Sequence, residues 1–469
     1  MLKNEKRVNP FIKSSIVYVI ATVIGQAMSF LGVIVFTRLM GQAEYGEYST
    51  YYAYVSILTV LIGANLYYAL NNAYVEKKSE IKEIRKAVLV LSVIIMAAVA
   101  AFLLIVKSIV LESTSYFVIV MAALHSYGFF VVTYRTYSAN MENDYNKKQW
   151  LLILPNTLQF IFALFFILIL PEMSYEARII GSTLGVVTVA IFTFAEMVRC
   201  EGKLVQIRYW KYALSIALPT IVMSLSYMLM QQCDKVMIRN ICGSQDTAVY
   251  SVIYYIGYAI IAVDQAVSPV RQAWIFQRLD KGDLSQVRKM QKWYLVVMSV
   301  IAIGFIMAGP EIVKILAPKN YWRFEYVVPF VLSACMMLLY RFYVEVILFY
   351  KCNAALSAGV LICALINIGL NAFFIPVFGA VTACYTTVAS CGLLFLFTWI
   401  LASRYVRGIY SWRYFAVFIT WVITIAIAFA AVKDFAVARY AILAIVLFAV
   451  LVYTIRSKKE WKSFLWEEK

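Results

Sequence analysis

The stretch Leu151-Leu-Ile-Leu-Pro155-Asn156-Thr157-Leu-Gln159-Phe-Ile-Phe-Ala-Leu-Phe-Phe-Ile-Leu-Ile-Leu170 decides the fold: twenty residues without a single charge. A helix needs about 20 mostly apolar residues to cross the hydrocarbon core of a bilayer. The pattern recurs about fourteen times, from Ser14–Phe36 to Tyr440–Ile455, and 63% of the chain is hydrophobic against 14% charged. An aqueous fold has no use for so many such segments. The expected class is an all-α polytopic membrane protein of about 14 transmembrane helices.

Working outward, helices are expected near 14–37, 48–72, 87–107, 114–138, 150–170, 177–198, 212–238, 247–270, 293–316, 326–350, 354–375, 379–403, 412–432 and 437–456. Only Lys433 and Asp434 mark the last turn, so twelve crossings is the alternative count. The joining loops alternate in charge. With the N-terminus inside, about 30 of the 42 Lys and Arg residues fall on the cytoplasmic side and roughly 10 outside, as the positive-inside rule requires. Both termini are then cytoplasmic. The net charge of +17 is mostly this orientation signal; it suits anionic lipid head groups and needs no nucleic-acid partner, since no basic segment forms a soluble module. The longest loop is expected at about 271–292, short and cytoplasmic, with Arg271 at the interface as a possible orientation charge. The first helix is followed by Arg38 and Gly41 with no small-residue cleavage site, which reads as a retained anchor.

A repeat runs through the chain at a shift of 202 residues. Gly41-Gln-Ala-Glu44-Tyr-Gly-Glu-Tyr48-Ser49 follows the first helix, and Gly243-Ser-Gln-Asp246-Thr-Ala-Val-Tyr250-Ser251 follows the seventh. Polar residues upstream share the register. Ser15, Tyr18, Thr22, Gln26 and Ser29 form one stripe; Thr220, Ser224, Tyr227, Gln231 and Asp234 form the other. Spacings of three and four keep each set on one helix face. The stripes suit a water-containing cavity between two lobes, although interhelical hydrogen bonding uses the same residue types. Both halves start on the same side of the membrane, so the repeats are parallel, an arrangement found in transporters. The expected division is an N-terminal lobe at 1–205, a C-terminal lobe at 206–405, and two further helices with a basic tail at 406–469.

Ionisable residues inside crossings mark functional sites by default. Arg341 and Glu345 are spaced to pair on one face of the tenth helix, as a structural ion pair or as a substrate or proton site. Asp234 and Lys235 lie in the outer half of the seventh helix and Arg239 follows; Arg38 ends the first at the outer surface. Arg135, Asp264 and Glu196 lie towards cytoplasmic ends. Converging Arg side chains would suit a diphosphate, because the guanidinium fork matches phosphate oxygens. Arg341→Ala is expected to lower transport more than Arg178→Ala near the outer loop. Pro219, Pro310 and Pro329 are expected to bend helices, and Gly25 and Gly32 to loosen the first. No Gly-x4-Gly-Lys-Ser/Thr loop, His–carboxylate pair or metal spacing occurs, so no catalytic residue, metal or cofactor is expected. The eight cysteines read as packing residues.

Four motifs carry a resemblance: Thr37-Arg38-Leu39-Met40-Gly41 with Glu44-Tyr-Gly46 and Tyr48-Ser49; Asp234-Lys235-Val-Met-Ile238 with Gly243 and Tyr250-Ser251; Val267-Ser-Pro269 with Gly282-Asp283 and Trp293-Tyr294; and Ile366-Asn367-Ile-Gly-Leu-Asn371 with Ile375-Pro376 and Gly379-Ala380. In this order the chain resembles the lipid-linked oligosaccharide (O-antigen or polysaccharide) flippases of the multidrug/oligosaccharidyl-lipid/polysaccharide exporter superfamily. The resemblance implies two six-helix lobes related by pseudo-two-fold symmetry, with two helices appended. It implies that an undecaprenyl-diphosphate-linked oligosaccharide moves from the inner to the outer leaflet by alternating access. The first and seventh helices would line the cavity. Its expected lining is Gln26, Ser29, Arg38, Ser224, Gln231, Asp234, Lys235, Arg239 and Arg341, with the basic ones on the pyrophosphate and Asp264 and Glu345 coupling an ion. The expected partners are that anionic polyprenyl-diphosphate-linked glycan, the bilayer, and the pathway's polymerase and glycosyltransferases. The related alternative is a cation-coupled multidrug exporter, against which stands the lack of an acidic residue deep in the first helix. The alternative of another class, a membrane-embedded polymerase or ligase, lacks the large outer loop such enzymes carry.

Overall fold

The computed structural model describes residues 10–110, 114–199 and 203–457, apart from the side chains of 10–24, 108–110 and 145. Ser15, Tyr18 and Thr22 of the first polar stripe and the basic tail beyond 457 fall outside the described residues. Every regular element described is a helix. They run α1 Pro10–Leu39, α2 Gln42–Gly63, α3 Tyr67–Glu76, α4 Ile81–Val110, α5 Tyr116–Met141, α6 Tyr145–Ile169, α7 Ser174–Val198, α8 Ile207–Ile241, α9 Ser244–Asp280, α10 Leu284–Met307, α11 Gly309–Leu316, α12 Val327–Phe349, α13 Asn353–Phe378, α14 Thr382–Ser403, α15 Trp412–Val432 and α16 Ala436–Arg456. Thirteen spans among the described residues are long and apolar enough to cross a membrane, with α2 and α3 forming one of them. The 30-residue α1 makes the count about fourteen.

Three elements differ from expectation, each for a physical reason. The second crossing is broken, because Ala64 and Asn65 take left-handed φ values of 44° and 51°. Asn tolerates that region and Ala does not favour it. The surroundings hold the break: the Asn65 amide donates to the Thr220 carbonyl at 3.0 Å, and to the Thr220 and Ser224 hydroxyls at 3.1 and 2.9 Å. The ninth crossing stops at Met307, and Pro310 opens the separate helix α11 instead of bending a longer one. Proline suits a first turn, where its missing N–H has no partner to lose. The expected loop at 271–292 is almost all helix: α9 runs on to Asp280, and α10 starts at Leu284 after Asp283 accepts from the Gln286 N–H at 3.3 Å.

The chain forms two compact units, Met1–Ala248 and Val249–Lys469. In the first, α6 and α7 touch backbone to backbone, since a Cβ on Gly181 or Gly185 would overlap main-chain atoms at Ala163 and Gln159. Small residues one turn apart permit this approach between membrane helices. Leu66, Leu70, Ile84, Leu89, Phe130 and Ala213 pack into one apolar cluster. Buried Arg85 and Arg135 are held by Glu142 at 2.5 and 2.9 Å, and Arg135 also reaches Glu196 at 3.2 Å. In the second unit Phe342, Tyr343, Phe395, Tyr410 and Phe415 stack on one another. There α16 is pinned by Arg439, which donates to the Met307 carbonyl at 2.5 Å and to both oxygens of Glu311 at 2.7 and 2.5 Å.

Glu142 lies just beyond the end of α5, and its pairing makes a pH test. Burial raises its pKa, but the Arg135 charge and hydrogen bond, then Arg85, outweigh burial and hold the carboxyl below its ordinary 4.5. A depressed carboxyl contributes stability above its unfolded pKa and loses it as pH falls through the folded one. The melting temperature of the purified wild type should therefore drop on acidification below about pH 4.5. Glu142→Gln should start lower at pH 7 and drop less over the same range. Parallel slopes would show that this carboxylate does not supply the pH dependence.

Candidate functional site

A cluster of buried charges lies in the second unit, on α9, α10 and α12. Asp264 and Arg271 are seven residues apart on α9, two helical turns along one face. Arg271 Nη1 donates to Asp264 Oδ1 at 2.6 Å, and its Nε donates to Glu345 Oε1 of α12 at 2.9 Å. Arg341 Nη1 reaches Asp264 Oδ2 at 3.3 Å, and the Tyr294 hydroxyl of α10 donates to Asp264 Oδ1. The rings of Tyr294 and Phe342 lie 4.7 and 5.1 Å from the Arg271 guanidinium.

Two arginines and two carboxylates balance in charge, as burial demands. A lone buried ion costs several kcal/mol even after relaxation, so such charges persist only when paired. Asp264 is fully buried and the Arg271 side chain is 2% exposed, whereas the Arg341 side chain is 20% exposed. Arg341 is thus the arm of the cluster open to an incoming group. Asp264 Oδ2, Arg271 Nη2 and Glu345 Oε2 are buried without an aligned hydrogen bond, although Arg271 Nη2 lies 2.8 Å from Glu345 Oε1. The network holds acceptor and donor capacity in reserve, which suits rearrangement.

Arg271, expected at the interface, is buried and ion-paired. The residue lies within a helix ten residues longer than expected and joins Asp264 to Glu345. The i, i+4 residues Arg341 and Glu345 both reach across to α9. The seven-residue spacing of Asp264 and Arg271 was the available signal; placing the helix end at 270 hid it.

The remaining predicted site residues belong to the first unit. Gln26 and Ser29 are half-buried on α1, and the Ser29 hydroxyl donates to the Gly25 carbonyl at 3.3 Å. Arg38 is exposed, with Nη1 on the Ile34 carbonyl at 2.7 Å. Ser224 accepts from Asn65, so two members of the α8 stripe, Thr220 and Ser224, anchor the break between α2 and α3. Gln231 is half-buried; Asp234 and Lys235 are buried, with Lys235 Nζ on Gln232 Oε1 at 3.1 Å. Arg239 Nε pairs with Glu47 at 3.1 Å, and the Ser244 hydroxyl donates to the same carboxylate. The two copies of the repeated motif therefore meet: a Cβ on Gly46 would overlap the Ser244 carbonyl. Arg178, expected near the outer loop, is buried, with its guanidinium 3.6 Å from the Tyr48 ring centre and 4.3 Å from that of Phe36. It is a packing residue and a poor control.

Among solved structures, the chain resembles a lipid II flippase MurJ in an inward closed conformation, at 13% identity and a TM-score of 0.70 over 95% of this chain and 99% of that one. It also resembles an inward-facing multidrug resistance transporter of the MATE family, at 12% identity and a TM-score of 0.63 over 84% and 98%. A third is a MOP superfamily transporter from Pyrococcus furiosus, at 14% identity and a TM-score of 0.57 over 86% and 97%. No curated protein matches the sequence. The helices and these likenesses define the class, a multi-pass all-α membrane protein with the fold of MOP-superfamily transporters. The sequence pattern of the polysaccharide biosynthesis protein family matches residues 11–276, more than half of the chain. The chain belongs to that family.

Proposed function

We propose that the chain is a flippase, not an enzyme. Its cargo would be an undecaprenyl-diphosphate-linked oligosaccharide, carried from the inner to the outer leaflet of a bacterial cytoplasmic membrane for surface polysaccharide assembly. Residues 1–205 and 206–405 act as its two lobes in alternating access, 406–469 are appended, and both termini are cytoplasmic. The observation that carries this reading is the buried cluster of Asp264, Arg271, Arg341 and Glu345 on three helices, with Arg341 its partly exposed arm, in a member of the polysaccharide biosynthesis protein family.

An arriving diphosphate competes with Asp264 for Arg341, and a guanidinium fork is the better match for phosphate oxygens. Asp264 then keeps Arg271 and Tyr294 as partners, so no charge is stranded. Protonation or cation binding at Asp264 or Glu345 would weaken the arginine pairs and couple an ion to the cycle. The same acidic pair supports the second reading, a cation-coupled drug exporter, which the likeness to the MATE transporter also favours.

The test is the pool of undecaprenyl-diphosphate-linked intermediates in a deletion strain, assigned to leaflets. Complete units accumulating on the cytoplasmic face, and cleared by restoring the chain, are the expected result. Units stranded on the outer face would mean a polymerase or ligase; an unchanged pool with altered drug tolerance would mean the exporter. Losing a charged hydrogen-bond donor costs about 1.5–3 kcal/mol. Arg341→Ala should therefore slow clearance about tenfold or more at matched protein level, while Lys433→Ala, at the exposed end of α15, leaves it unchanged. Equal clearance by the two variants would remove Arg341 from the site.

A further inference from the structure

A cavity of mixed polar and apolar lining lies wholly within the first unit, between the last three to four turns of α5 and the first three of α6. Its volume is about 460 Å³, within the range of sites for small organic ligands. On α5, Thr133, Thr136, Tyr137 and Asn140 follow one another at three and four residues, so one face lines it; on α6, Lys148, Leu152 and Asn156 do the same.

The chemistry of the lining is selective. The Thr136 hydroxyl donates to the Val132 carbonyl at 2.8 Å, and Asn156 Nδ2 donates to the Leu152 carbonyl at 3.0 Å. The Thr136 hydroxyl retains acceptor oxygen for a ligand, and Asn156 retains its carbonyl oxygen and one N–H, a set that pairs with hydroxyl groups, which both donate and accept. Pro155 has no N–H, so the Leu151 carbonyl loses its helical donor and adds another acceptor. Lys148, with Nζ on Asn140 Oδ1 at 2.6 Å, supplies a cation at one end. The Tyr137 ring, stacked on Tyr67 at 4.5 Å, gives an aromatic wall backed by the broken second crossing. Acceptors, an aromatic face and one fixed cation match a hydroxyl-rich ring bearing one negative charge.

We infer that this α5–α6 cavity binds a sugar unit with an adjoining anion, either the phosphate at its glycosidic end or a ring carboxylate, with Lys148 as the specificity-determining residue. The inference rests on the flippase reading and names the part of the cargo held at the cytoplasmic ends of α5 and α6. The full chain, purified into lipid nanodiscs, is titrated with N-acetylglucosamine 1-phosphate, glucuronate, N-acetylglucosamine and inorganic phosphate. The expected result is that one of the two anionic sugars binds at least tenfold tighter than neutral sugar or phosphate alone; which of the two identifies the source of the anion. Lys148→Gln should remove about tenfold of that affinity and leave neutral-sugar binding unchanged. Thr136→Val should weaken both, and Lys148→Arg should retain the preference, which guards against a variant that only misfolds. Equal binding of phosphate alone, or no change in Lys148→Gln, overturns the site. If the wild type clears the lipid-linked pool while Lys148→Gln and Thr136→Val clear it equally well, the subsite fails alone. If the wild type does not clear it, the flippase reading fails first.

Discussion

Arg271→Ala is expected to destabilise the protein by about 3–5 kcal/mol, because removing one partner from a buried ion pair leaves the other charge uncompensated. Here it leaves two, since Arg271 holds Asp264 and Glu345 together and its side chain is 2% exposed. The replacement also empties the space between the Tyr294 and Phe342 rings. The measurement is a thermal melt in one detergent, with the amount of protein accumulating in the membrane alongside. Arg341→Ala is the informative partner, for its 20% exposed side chain has solvent as an alternative. That variant should accumulate normally and fail in transport, so the two arginines separate stability from function. A combined Arg271→Met and Glu345→Gln variant, which leaves the Asp264–Arg341 pair in place, should recover most of the lost stability, as neutral packing often replaces a buried ion pair at little cost. If Arg271→Ala melts within about 0.5 kcal/mol of wild type, the size of an ordinary surface change, the cluster is not the structural centre described above.

Gly46→Val should have the next largest effect. Any Cβ at this position falls on the Ser244 carbonyl, and main chain cannot rotate aside as a side chain can. The turn between α8 and α9 has to withdraw, which breaks the hold of Glu47 on Arg239 and Ser244. Overpacking of this kind costs about 1–3 kcal/mol. Beyond stability, the variant should leave the start of α2 and the end of α8 apart, read as faster labelling of a cysteine placed at Ser244 by a maleimide. Gly304→Ala is the control, because a Cβ there meets nothing within 4 Å; it should be neutral or slightly stabilising by reducing the freedom of the unfolded chain. Unchanged labelling and melting in Gly46→Val would mean that the two motif copies do not close on each other.

Much of the fold was legible because the bilayer leaves so few options. A crossing must satisfy its own backbone, so apolar length alone identifies it, and α15 appears at the expected residues 412–432. Helix ends outside the apolar band carry no such signal. That is why α9 runs ten residues past its expected end and the pairing of Arg271 with Asp264 is not legible from apolar length. The break at Ala64–Asn65 was hidden for a different reason: neither residue is a glycine or a proline, and the conformation is held by the distant Thr220 and Ser224. Of the site, intramembrane Asp264, Arg341 and Glu345 stood out by their charge, but their true partners come from other helices. Arg178 shows the converse, a charge whose surroundings are aromatic rings that sequence spacing does not reveal.

The grip of Arg439 on Glu311 and the Met307 carbonyl bears on how such chains gain and lose segments. A chain shortened before Ala436 would abandon a carboxylate, and a carbonyl at the end of α10, that no other described side chain satisfies so fully. Relatives built with twelve crossings are therefore expected to have discarded the acidic residue at 311 along with the arginine at 439, two positions far apart in the gene that evolve as one.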